Sequence, residues 1–149
     1  MASSEATATG TNGLTTVDGR RPQVAIVGGT ASGAMVATVL CQQFGCTPVS
    51  TPTGESVLAL LRRNIPLDLV VIDLSVADMD GIVAVQLIRA LGARGALPVV
   101  ALTNDRAEIS RTRARAAGFT GSVVKPYSPR ELYSAMQTAL ARGTAAVSA

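Results

Sequence analysis

Leu67 to Asp73, reading LDLVVID, is the stretch that decides the fold of this 149-residue chain. Leu69, Val70, Val71 and Ile72 are branched and apolar with no polar alternation, the pattern of a strand covered on both faces. Asp73 closes the run, so a carboxylate is expected at the strand's C-terminal end.

The same layout repeats on either side. Gln23–Val27 (QVAIV) predicts a strand closed by Gly28 and Gly29, followed by a helix from Ala31 to Phe44 that Gly45 stops. Residues 47–51 form a weaker strand. Thr53-Gly54-Glu55 opens a helix with Val57, Leu58, Leu60 and Leu61 on one face, ended by Asn64 and Pro66. After LDLVVID come a helix from Gly81 to Leu91, a strand from Leu97 to Leu102 (LPVVAL), and a helix from Asp105 to Ala117 ended by Gly118. A short strand, Ser122–Val124, precedes a last helix capped by Ser128, in which Leu132, Met136 and Leu140 recur every four residues. Five strand–helix repeats predict an α/β domain built on a five-stranded, doubly wound parallel sheet with helices on both faces. In such sheets the working site lies at the C-terminal ends of the strands. The residues to watch are therefore Gly28, Gly29, Asp73, Thr103 and Lys125.

Composition bounds the rest. Almost half the residues are apolar and 15% are charged, which suits one folded domain of about 22–142. Residues 1–21 and 143–149 are rich in small and polar residues and read as flexible leader and tail. No apolar run reaches the roughly 20 residues of a membrane span, and no secretory signal stands at the start, so a cytoplasmic location is expected. Cys41 and Cys46 are too few for a zinc site and read as reduced, partly buried thiols. The absence of histidine removes histidine-based acid–base chemistry. Arg106, Arg111, Arg113 and Arg115 form a basic cluster without interleaved aromatics, so a solvated face is expected there rather than a nucleic-acid site.

An acid, a hydroxyl and an amine at three strand ends (Asp73, Thr103, Lys125) would converge. That set suits a carboxylate that accepts a phosphoryl group, with the amine and hydroxyl on the phosphoryl oxygens. Three segments, LDLVVIDLSVADMDG, PVVALTN and VVKPYSPREL, resemble the receiver domain of bacterial response regulators, the phosphoaspartate family of two-component signalling. The resemblance covers about residues 22–142 and implies a flavodoxin-like (βα)5 fold. It places Asp73 as phosphoacceptor, with Thr103 and Lys125 as the phosphoryl-contacting pair.

The departures from that pattern bear on function. The family ends its first strand in two acidic residues that hold magnesium with the acceptor; Gly28 and Gly29 stand there. Its loop proline is Ala77, and its switch aromatic on the fifth strand is Ser122, although Tyr127 follows Lys125-Pro126. Magnesium binding is thus expected to be weak or absent, no other cofactor is implied, and the chain is expected to be no enzyme. The expected function is a phosphorylation-independent protein–protein interaction module. Its partner would be a histidine kinase, a phosphotransfer protein or another signalling module, with a homodimer as a further form. The expected partner face carries Arg106, Arg111, Arg115, Tyr127 and Arg130. One alternative is a receiver that is still phosphorylated on Asp73 through an unusual metal site. A lesser one is anion or nucleotide binding at the Gly28–Gly29 turn ahead of a helix N-terminus.

Overall fold

The computed structural model describes residues 13–28, 31–75, 78–107 and 118–148. Five strands, β1 (Gln23–Val27), β2 (Thr47–Thr51), β3 (Leu69–Asp73), β4 (Val99–Thr103) and β5 (Gly121–Val124), form one sheet in the order β2-β1-β3-β4-β5. Every neighbouring pair is parallel. Among the described residues the helices with defined bounds are α1 (Ala31–Gln43), α2 (Gly54–Arg62), α3 (Gly81–Arg89) and α4 (Pro129–Ser148), with a 3-10 turn at Gly92–Gly95. This is the doubly wound arrangement expected from the repeat, in the flavodoxin-like form that the resemblance implies. The chain leaves β1 toward β2, then returns to β3 on the other side, so the strand order reverses between β1 and β3.

Two apolar layers follow from period-two alternation in the strands. Ala25, Val27, Val70, Ile72 and Ala101 face one way and meet Val57, Leu58 and Leu61 of α2 and Ile82, Val85 and Ile88 of α3. Val24, Ile26, Val71, Val100 and Val123 face the other way and meet Leu40 and Cys41 of α1 and Leu132, Met136 and Leu140 of α4. The central strands β3 and β4 are buried at every position, as the unbroken apolar runs require. Thr53 caps α2 by accepting from Ser56 N, and Asp80 caps α3 by accepting from Ile82 N.

Several expected boundaries are corrected. The segment read as leader is packed from Gly13 to Arg21: Leu14 is 4% exposed, its N–H donates to Phe44 O at 2.7 Å, and Arg20 pairs with Asp68 at 3.2 Å. Its Thr16 hydroxyl also donates to Asp18. The segment read as tail continues α4 in helical form to Ser148. β3 begins at Leu69, and Asp68 just before it is tied to β1 twice: its N–H donates to Gln23 O at 2.8 Å and its carboxylate accepts from Gln23 N at 2.8 Å. β4 is displaced to Val99–Thr103. The helix expected over 105–117 lies mostly outside the described residues; Arg106 and Ala107 are helical, and Gly118 holds φ +88°. Cys41 and Cys46 are free thiols, buried fully rather than partly. Hydrogen bonding between them, then burial, pushes the Cys41 thiol up.

Candidate functional site

Strand register builds the site. Pairing of Val27 with Ile72, Asp73 with Leu102, and Thr103 with Val124 brings four strand ends to one level. Asp73 is the last residue of β3, only 3% exposed, and both of its carboxylate oxygens are engaged. Oδ1 accepts from the Ser75 N–H at 2.9 Å and from the Ser75 hydroxyl at 2.6 Å. Oδ2 accepts from Lys125 Nζ at 2.7 Å. Lys125 is fixed in turn by its N–H, which donates to Thr103 O at 2.7 Å and continues the β4–β5 ladder one residue past β5.

Burial pushes the Asp73 carboxyl up, but the hydrogen bonds from Lys125 and Ser75 outweigh it and hold the group below the ordinary carboxylate range. The ionised form is therefore favoured without any added cation. Tyr127 packs beside it, and its phenol is pushed up by burial and by the Asp73 charge. Asp73, Lys125, Pro126, Tyr127, Asn104 and Val36 line one open cavity of about 340 Å³. Thr103 stands apart from that lining: its hydroxyl donates to Asp105 O and accepts from Asp105 N, both at 3.1 Å.

The end of β1 is different in kind. A Cβ built on Gly28 would stand 2.6 Å from the Ala34 Cβ and 3.2 Å from its Cα, so α1 occupies the space any side chain there would need. Gly29 and Ala77 lie outside the described residues. Among the described residues no group of three carboxylates, cysteines or histidines is placed to hold a metal ion. The two loop acids serve helix ends: Asp80 caps α3, while Asp78 accepts from Gly54 N and Glu55 N at the start of α2.

The residues expected to share a partner face are divided. Tyr127 belongs to the Asp73 cavity. Arg106, Arg130 and Ser122 line a separate groove along β5, which Arg142 also joins. Arg111, Arg113 and Arg115 lie outside the described residues. Sequence reading missed Arg142, Val36 and the Ser75 hydroxyl. For Ser75 a signal existed, since a serine two residues after an aspartate at a strand end suits local side-chain hydrogen bonding.

Comparisons with known proteins agree with this fold. The family model for the response regulator receiver domain matches residues 24–137. An uncharacterized 14.6 kDa protein of Leptolyngbya boryana is 33% identical over 66% of this chain and 74% of its own length. The transcriptional regulatory protein BaeR of Escherichia coli is 28% identical over 85% of this chain, which spans only 51% of BaeR. Among solved structures, the receiver domain of a Pseudomonas aeruginosa sensor histidine kinase, with magnesium coordinated in its active site cleft, superposes with a TM-score of 0.73. It shares 21% identity and covers 81% of this chain and 98% of its own. Among the described residues no helix is long and apolar enough to cross a membrane.

Proposed function

The chain belongs to the response regulator receiver domain family, and on that premise we propose that it serves two-component signalling as an interaction module independent of phosphorylation. The observation that carries this reading is the contrast around Asp73. Both oxygens of its carboxylate are engaged, by Lys125 and by Ser75, while at the neighbouring strand end a side chain on residue 28 would collide with Ala34. Magnesium takes near-octahedral oxygen coordination and is held by carboxylates together with phosphate and water. A donor set reduced to Asp73 does not fit it. Phosphoryl transfer draws on such a metal to offset charge on the transferring oxygens, so Asp73 is a poor acceptor here. The partner is a histidine kinase, a phosphotransfer protein or another signalling module, met in the cytoplasm, and the chain itself catalyses nothing.

Retention of the Asp73–Lys125 pair favours one second reading, a receiver phosphorylated on Asp73. An amide NMR titration with Mg²⁺, then with Mg²⁺ and beryllofluoride as aspartyl-phosphate mimic, separates the two. Resonances of Asp73, Thr103 and Lys125 that stay in place support the module. Shifts that saturate establish the phosphorylatable receiver instead.

A further inference from the structure

The two edges of the sheet are finished differently. β2 carries Pro48 within its five residues, and a proline on an edge strand blocks recruitment of another strand. β5, the opposite edge, is Gly121-Ser122-Val123-Val124, with neither proline nor charge. Lys125 N–H bonds Thr103 O, so alternation along the strand turns the N–H and C=O groups of Val124 and Ser122 away from β4. They open on a groove of about 570 Å³ between β5 and α4, floored by small side chains such as Ser134 and Thr138.

Positive charge predominates along this edge. Arg106, Arg130 and Arg142 line the groove, and none is in an ion pair among the described residues. Glu131 is the one acid lining it, and its carboxylate is turned back to accept from Ser128 N at 2.7 Å while Ser128 Oγ accepts from Glu131 N at 3.1 Å. That reciprocal cap commits Glu131 to the start of α4. The groove thus offers outward backbone groups at a strand edge together with unpaired guanidinium groups.

We propose that the β5 edge binds an extended, acidic segment of a partner polypeptide as an added strand, with alternate carboxylates on Arg106, Arg130 and Arg142. Main-chain hydrogen bonds supply affinity in such strand addition, and alternate side chains supply selectivity. The inference rests on the reading of this chain as an interaction module, but it uses residues remote from Asp73. The beryllofluoride titration does not probe this groove, so the two readings fail separately.

The probe is a short fluorescein-labelled peptide alternating Glu and Thr, followed by anisotropy and by amide NMR on the full chain. Binding at low salt with shifts on Gly121–Val124 is the expected result. The double variant Arg130→Glu, Arg142→Glu should weaken it roughly tenfold. Ser122→Pro removes an outward N–H that makes no bond to β4, and should weaken binding while Ser122→Ala leaves it unchanged. Should the proline variant fail to fold, hydrogen exchange at Ser122 and Val124 reads the same contact, with protection expected only when peptide is bound. The proposal is overturned by no binding, by affinity indifferent to the Arg reversals, by shifts or protection absent from β5, or by preference for oligothymidylate over the peptide.

Discussion

The ends of β1 and β3 lie side by side in the sheet and are built on opposite principles. β3 ends in a buried charge whose oxygens all find donors within the chain: Ser75 on one side, Lys125 on the other. β1 ends in Gly28, with the first turns of α1 closed so tightly against it that a methyl group would collide with Ala34. The difference teaches how a buried carboxylate can be held at a strand end by donors from its own chain, with one ammonium to balance its charge. Clustered carboxylates repel and disfavour their own ionisation. A single carboxylate facing a single ammonium does not, and the space beside it can be given over to helix packing. One strand end holds its charge by pairing; the other has no room for charge.

The sharpest way to break that comparison is to remove the cation. Lys125→Ala leaves Asp73 buried and without its ammonium, and should cost about 3 kcal/mol in urea unfolding at neutral pH. The deficit should shrink in acid, where Asp73 takes up a proton. A loss below about 1 kcal/mol would mean that water solvates Asp73 and that pairing is not what holds it. Next in size is Gly28→Asp, which must force α1 outward and should cost about 1–3 kcal/mol. Millimolar Mg²⁺ should not restore the loss, and restoration would return a metal site to the end of β1.

Smaller effects refine the picture. Ser75→Ala removes the hydroxyl bond to Asp73 Oδ1 and should cost about 1 kcal/mol, with the Asp73 titration moving upward in carboxyl NMR. The sign follows from its direction. The folded group titrates below its unfolded value of about 3.9, so its stabilisation is present above that pH and is lost as pH falls through the folded value. The variant should therefore lose the last of this stabilisation at higher pH than the parent. Smallest of all is the response to magnesium. With a dissociation constant of about 10 mM or weaker, 10 mM Mg²⁺ adds no more than about 0.4 kcal/mol, read as a nearly unchanged melting temperature.

What the sequence made legible was local or periodic. β1 and β2 stand at the residues their patterns mark, and the every-fourth spacing of Leu132, Met136 and Leu140 became the buried stripe of α4. The strand-end rule located Asp73 and Lys125, which meet; it also located Thr103, whose hydroxyl bonds its own loop at Asp105. What stayed hidden was held by single long-range contacts. Residues 13–21 have no periodicity, because Leu14, one backbone bond to Phe44 and the Arg20–Asp68 pair are enough to seat them. Asp78 caps a helix 24 residues earlier in the chain, which no local motif announces. Arg89 is the same kind of case: its guanidinium reaches Gly95 O, Leu97 O and Gly118 O, tying α3 to two later turns. The filling of the β1 end by Ala34 was equally invisible, since a glycine in the sequence records the absence of a side chain and not what has moved into its place.

That contact also couples two positions that lie six residues apart. A Cβ at residue 28 would stand 2.6 Å from the Ala34 Cβ, so what residue 28 can be depends on what stands at residue 34 and on how firmly α1 is seated. Gly28→Asp and Ala34→Gly should therefore be non-additive in stability, the second easing the strain of the first, because both act on the same few cubic ångströms.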